Sequence, residues 1–387
     1  FMTMAYIIAL NPNLLTGFQT GTPLWNGVFL ATCIASAIGT VCMAFLANKP
    51  FVMAPGMGLN SFFAVVAGNV AALLNTDYTS AFQAVLCIIL VEGIVFLLLT
   101  VTHVRQLLID AVPMNLKYAI VVGIGMFIAF IGLQNAGIVV KNDATVVALG
   151  HVTQPGPLLA CCGLMLTAGL MARNVQGSLL IGILVTAVLG MVFGVSPAPS
   201  GIDSVMSFSL PSLAPTLMQL DIMGALKYGI ISIIFTFTIV ELFDNMGTLI
   251  GLSRKARLMD DKGHIENLDK ALVTDSVGTV VSSFLGTSTV TTFVESGSGI
   301  AAGGRTGLTA LTTAVLFLLS IFLLPLFASI PSAAASAALL YVGCLMLKGI
   351  TNVKIDGVKN AVPAFLTIAM MPLAYSITDG IGFGILS

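Results

Sequence analysis

Met53-Ala54-Pro55-Gly56-Met57-Gly58-Leu59-Asn60-Ser61 places a proline and two glycines inside a stretch, 51 to 74, that is otherwise apolar enough to cross a bilayer. Proline removes a backbone donor and glycine weakens a continuous helix. The segment therefore predicts a span that is part extended and part helical. A second stretch behaves alike: Gly286-Thr287-Ser288-Thr289-Val290-Thr291-Thr292-Phe293-Val294-Glu295-Ser296-Gly297 is β-branched and hydroxylated and ends in a glycine. Irregular backbone at membrane depth is tolerated only where protein or a water-filled cavity satisfies it. Two such interruptions mark a site for a polar solute.

Outward from these segments, the chain is 57% hydrophobic and only 8% charged over 387 residues, which excludes an ordinary soluble domain. Apolar stretches of about 20 residues, the length that crosses hydrocarbon, recur near 1 to 10, 24 to 46, 51 to 74, 80 to 101, 118 to 134, 157 to 172, 176 to 195, 226 to 252, 271 to 285, 287 to 303, 307 to 330, 332 to 347 and 360 to 376, with another from Gly380. The class is an all-α polytopic membrane protein of about fourteen spans. The first run, Phe1 to Leu10, reads as the end of a trimmed spanning helix, and the last as truncated.

Charge placement orients the spans. Cytoplasmic loops carry an excess of Lys and Arg. With a cytoplasmic N-terminus, Lys49, Arg105, Lys117, Arg173, Arg254, Lys255, Arg257, Lys262, Lys270, Arg305, Lys348, Lys354 and Lys359 fall inside, and only Lys141 and Lys227, of fifteen, fall outside. Both termini are then cytoplasmic. A proline-rich interruption with Pro197, Pro199, Asp203, Pro211 and Pro215 separates seven spans from seven. The organisation expected is a first inverted repeat over 1–195, an outer connection over 196–225 and a second repeat over 226–387, with the third and tenth spans discontinuous.

Glu92, Glu241, Asp244 and Glu295 are the acidic residues well inside predicted spans. A charge at the bilayer centre costs at least about 2.5 kcal/mol on insertion scales, so each is a functional candidate. Asp244 lies in Phe243-Asp244-Asn245-Met246-Gly247-Thr248, and Glu241, three residues earlier, falls on a neighbouring position of one helical face. Glu92, without interrupted backbone around it, reads as a structural carboxyl. Cys33, Cys42, Cys87, Cys161, Cys162 and Cys344 read as small apolar residues. His103, His151 and His264 fall at span ends or in loops, so no metal site and no cofactor are expected. Gly56-Met57-Gly58 and Gly123-Ile124-Gly125 lie in apolar spans with no strand before them and read as helix breaks or packing sites, not a dinucleotide fingerprint. Arg254-Lys255-Ala256-Arg257 reads most simply as the cytoplasmic anchor of the eighth span, with binding to membrane lipid head groups as the lesser alternative. No nucleic-acid partner and no enzymatic constellation are expected.

Three long motifs carry a resemblance: Met53 to Asn60, Phe243-Asp244-Asn245-Met246-Gly247-Thr248-Leu249, and Gly286 to Thr289 through Glu295 to Gly303-Gly304-Arg305-Thr306-Gly307-Leu308-Thr309. In this order they resemble the purine permeases of the AzgA-like branch of the nucleobase and ascorbate transporter superfamily. The resemblance implies a seven-plus-seven inverted repeat with core and gate domains, proton symport of a purine nucleobase across the cell membrane, and a tendency to homodimers. It places substrate at Asn60, Asp244 and Glu295, with Gly58 and Thr292 beside them, and proton coupling at Asp244, Glu295 and Glu241. Asn245 stands where many members carry Thr. The residues themselves leave two alternatives open: an anion or other small-solute carrier of the same fold, which would want a midplane cation, and a channel, which would want repeated polar rings.

Overall fold

The structure is a computed structural model that describes residues 1–102, 104, 112–196, 201, 205–209, 211–228, 230–258 and 267–387, and the side chains of Tyr228, Ile230, Phe243, Met246, Gly247, Ile250, Gly251, Arg254 and Lys255 are not described. Pro197, Pro199, Asp203, His103, His264, Arg105 and Lys262 lie outside the described residues.

The helices are α1 (Ile7–Leu15), α2 (Pro23–Cys42), α3 (Met57–Leu74), α4 (Tyr78–Val101), α5 (Met114–Asn135), α6 (Pro155–Ala172), α7 (Ser178–Val192), α8 (Ile222–Tyr228), α9 (Ile230–Lys255), α10 (Leu268–Leu285), α11 (Ser296–Ala301), α12 (Gly307–Leu319), α13 (Leu324–Ala328), α14 (Ser332–Met346), α15 (Val358–Leu373) and α16 (Ile377–Leu386). Four short strands, β1 (Met53–Pro55), β2 (Val139–Asn142), β3 (Val146–Leu149) and β4 (Val290–Thr292), form two antiparallel pairs, β1 with β4 and β2 with β3. Among the described residues, seven helical stretches are long and apolar enough to cross a membrane, and four shorter apolar helices accompany them. The fold is that of a multi-pass helical membrane protein.

Local chemistry sets the helix boundaries. Thr22 caps α2 by accepting from the Trp25 amide at 3.2 Å, with Pro23 in the first turn, where its missing donor costs nothing. Asp77 caps α4 through the Ser80 amide. Past α2, a π turn (Met43–Ala47) ends at Asn48 with φ of 50°, and α3 ends at Asn75 with φ of 48°. Asn tolerates that left-handed conformation better than most side chains.

Two stretches differ from expectation. The first apolar run was read as ending at Leu10, but α1 continues through Asn11, Pro12 and Asn13 to Leu15, and both asparagines are fully buried. A polar side chain does not by itself end a helix, and buried amides are ordinarily bonded by neighbouring groups. The connection between α5 and α6 carries the β2–β3 hairpin, whose turn is closed by the Asn142 carboxamide oxygen accepting from the amides of Ala144 and Thr145. Its Lys141–Asp143 ion pair at 3.7 Å is exposed on both sides, and such pairs contribute little.

The chain divides into two compact units, each drawn from both halves of the sequence. The first comprises Phe1, Leu14–Val112 and Phe208–Phe322; the second comprises Met2–Asn13, Pro113–Ser207 and Leu323–Ser387. In the first, α10 packs on α4 and α2, and α12 packs on α2; in the second, α14 packs on α5 and α6, and α15 on α5 and α16. All the candidate site residues fall in the first unit.

Candidate functional site

The two interrupted segments meet. β1 and β4 pair antiparallel with Met53 opposite Thr292, Ala54 opposite Thr291 and Pro55 opposite Val290. The ladder extends at both ends, because the Gly56 amide donates to the Thr289 carbonyl at 3.2 Å and the Phe293 amide donates to the Val52 carbonyl at 2.9 Å. Side chains complete it. Thr40 of α2 donates to the Met53 carbonyl and accepts from the Met53 amide, and Ser296 accepts from the Val52 amide at 3.0 Å. A two-stranded pair alone is marginal in water; here it is buried on every residue of both strands, and Pro55, which has no amide to donate, sits at its end.

Each strand delivers the chain into a helix. Gly56 is the residue before α3, and Glu295 is the residue before α11. The first turn of α3 leaves amide groups with no partner within the helix, at the positive end of its dipole. Around this junction three side chains gather. A Cβ built on Gly56 would lie 3.2 Å from the Thr291 hydroxyl and 3.8 Å from Asp244 Oδ2. Asn60, fully buried, donates from Nδ2 to the Pro55 carbonyl at 3.3 Å, while its Oδ1 has no hydrogen-bond partner. The hydroxyls of Ser288, Thr289 and Thr291 are likewise buried without partners. Buried polar groups are normally paired, so this concentration makes the junction the candidate site for a polar solute. The set offers a carboxylate, an amide oxygen and hydroxyls, which suit a ligand that presents both donors and acceptors.

The other expected residues are placed differently. Gly58 lies in the first turn of α3 and is partly exposed. Glu295 is partly exposed ahead of α11, and its backbone oxygen accepts from the Ser298 amide and hydroxyl at 2.9 and 2.8 Å. Thr292 is occupied, since its hydroxyl donates to Asp275 Oδ1 of α10 at 2.9 Å. Glu241 is buried and accepts from the Thr279 hydroxyl at 3.1 Å. Glu92 is buried on α4, beside Gly93, which faces Thr279 and Val280 of α10.

Sequence reading missed two groups. Asp275, near the start of the predicted span 271 to 285 and not among the acidic candidates, is fully buried. A small-residue run, Thr274, Ser276 and Thr279 around it, was the available signal. Lys49 was assigned to an inner loop, yet it is only 4% exposed in the segment leading to β1. The single basic side chain next to an interrupted span was its signal. Arg305 donates to the carbonyls of Ile300 and Gly304, closing the end of α11.

Residues 1–383 match the model of a permease family. The chain is 46% identical over its whole length to a putative permease of Methanocaldococcus jannaschii, covering 86% of it. It is 41% identical to an adenine permease of Escherichia coli and 42% identical to a guanine/hypoxanthine permease of Bacillus subtilis, in each case over 100% of this chain and over 84% and 88% of the relative. The solved transmembrane domain of a cyanobacterial bicarbonate transporter superposes with a TM-score of 0.72 at 16% identity, covering 99% of this chain and 95% of that one, a likeness of fold alone. The three motifs that meet in the first unit, together with a match along nearly the whole sequence, place the chain in this permease family, among the nucleobase/ascorbate transporters.

Proposed function

We propose that this chain is a secondary transporter that imports purine nucleobases, adenine or guanine and hypoxanthine, across the cell membrane by proton symport. The observation that carries the reading is the convergence of Asp244, Asn60 with its unsatisfied Oδ1, and Thr291 on the β1–α3 junction. A purine presents N–H donors beside ring-nitrogen and carbonyl acceptors, and a carboxylate with an amide can meet both kinds of edge. The adenine and guanine/hypoxanthine permeases among its relatives support the purine class. On this reading the third and tenth spans are broken at β1 and β4, the halves 1–195 and 226–387 are inverted repeats, both termini are cytoplasmic, and the two compact units act as core and gate.

Asp244 and Glu295 form the coupling pair in this scheme, with Glu241 as an auxiliary carboxyl. An acid inside the membrane without a basic partner ionises only at a cost, so on this reading substrate and proton binding are linked. The test is uptake of one labelled purine into proteoliposomes, challenged with adenine, guanine, hypoxanthine, xanthine and uracil. Asp244→Asn is expected to weaken purine binding about tenfold or more, since a hydrogen bond to a charged group contributes roughly 1.5 to 3 kcal/mol. Glu295→Gln, which mimics the protonated acid, retains binding but loses accumulation driven by a pH gradient. Saturable uptake blocked by uracil and untouched by the purines would sink the substrate assignment.

A further inference from the structure

The polar side chains of α9 do not all face the β1–α3 junction. Successive helical residues advance by about 100°, which spreads Asp244, Thr248, Glu241, Asn245 and Thr238 over an arc of about 120°. Asp244 is at one edge of this arc, toward Gly56 of the β1–α3 junction. Glu241 is central, and its carboxylate accepts from Thr279 of α10. Asn245 lies on the far side of Glu241, one turn along.

The Glu241–Thr279 hydrogen bond sets the level of α9 against α10. Farther along, Leu249 and Leu252 of α9 share one buried cluster with Ala271 and Leu272 of α10. Advancing along α9 therefore means retreating along α10, so the two run antiparallel. Four residues beyond Glu241 is Asn245, and four residues before Thr279 is Asp275. By this count the two come level, between the Glu241–Thr279 hydrogen bond and the cluster that holds Leu249 and Leu252.

Asn245 is fully buried, and neither its Oδ1 nor its Nδ2 has a hydrogen-bond partner. Asp275 holds the Thr292 hydroxyl with its Oδ1. An amide with both a donor and an acceptor unsatisfied needs a ligand that accepts and donates. Water does both, and buried waters ordinarily make about three such bonds. A bare monovalent cation would satisfy the oxygen only and would press against the Nδ2 donor.

We propose that Asn245 holds ordered water in the seam between α9 and α10, and that this water joins the Glu241–Thr279 contact to the Asp275–Thr292 pair as a proton relay. The inference rests on the proton-symport reading. The step balances: water takes a proton from a carboxylic acid on one side, gives another to a carboxylate on the other, and is regenerated. Titratable groups on α9, on α10 at this level and on the elements packed against α9 include Asp244, Glu241, Asp275, Glu92, Cys87 and Lys227, with Glu295 ahead of α11. The buried cluster with Leu249 and Leu252 lies farther along the two helices. Asn245 is a positioning residue here, distinct from the groups assigned to substrate.

The experiment uses the full chain in proteoliposomes, with labelled adenine and labelled hypoxanthine as probes and an imposed pH gradient. Asn245→Leu is expected to lose gradient-driven accumulation by about tenfold or more, in the range of lost proton-transfer groups. Its equilibrium affinity for the probe should change by less than about twofold. Asn245→Ser, small enough to admit a second water beside its hydroxyl, restores most of the accumulation. A structure at water-resolving resolution should show density within hydrogen-bond distance of the Asn245 amide, and its absence would overturn the proposal even if Asn245→Leu fails to insert. Loss of affinity in both variants would overturn it in favour of direct substrate contact. Wild-type uptake that ignores the gradient would overturn proton symport and the relay with it, whereas a responsive wild type beside an equally responsive Asn245→Leu would overturn the relay alone.

Discussion

Gly56 shows how one residue joins local geometry to the site. Its backbone is ordinary, with φ of −70°, so the demand for glycine is one of space and not of conformation. A methyl group there would press on the Thr291 hydroxyl at 3.2 Å and approach Asp244 Oδ2. Gly56→Ala should therefore weaken purine binding while the protein inserts normally, because overpacking costs about 1 to 3 kcal/mol and here falls on groups assigned to the ligand. Affinity measured on the purified variant checks this, and unchanged affinity would place the substrate away from the β1–α3 junction. Asn60 and Asp244 were legible in the sequence as polar residues in apolar runs. Thr291 was not, because in a row of hydroxylated residues only the strand register shows which hydroxyl is bonded and which is left open.

At the scale of elements, the second unit is held by close helix contact. A Cβ built on Gly343 of α14 would lie 2.6 Å from the Gly125 carbonyl of α5 and 2.8 Å from Ala129 Cβ, and one on Gly125 would lie 2.7 Å from Met346. In lipid, helices associate by packing and not by expelling water from apolar faces, so small residues at the crossing set how near two backbones come. Gly343→Val should lower the melting temperature of the detergent-solubilised protein, consistent with an overpacking cost of about 1 to 3 kcal/mol. A melting temperature equal to that of the parent would show that the α5–α14 crossing is looser than this geometry. The glycines of Gly123-Ile124-Gly125 were read in sequence as helix breaks or packing sites, and α5 runs unbroken through them. Composition marks a small residue; whether it bends a helix or admits a neighbour depends on what lies across from it.

At the scale of the molecule, the alternation of spans makes a claim that thiol labelling can test. On the proposed topology the β2–β3 hairpin is outside and the segment before α15 is inside. With the six native cysteines replaced, a cysteine at Asp143 should react with an impermeant thiol reagent added to intact cells, and one at Asp356 should react only after the membrane is opened. Both positions are exposed, so neither result depends on burial. Labelling of the two from the same side would break the alternation and with it the inverted repeat.

The sequence by itself determined the membrane class, the two interrupted segments and most of the acidic candidates, because hydropathy, proline and glycine placement and isolated carboxyls are local properties that survive without a fold. Tertiary structure decided which of these act together. Val52 and Ser296, bonded to each other, are 244 residues apart, and no periodicity encodes the pairing of β1 with β4. That pairing brings Asp244, Asn60 and Thr291 to one junction and draws Thr292 to Asp275 instead. Burial of Lys49 and Asp275 was likewise invisible in the chain, since a charged residue at the edge of an apolar run looks the same whether it meets water or the interior. The amide of Asn245 gained its meaning only from burial, which leaves both its oxygen and its nitrogen without a protein partner.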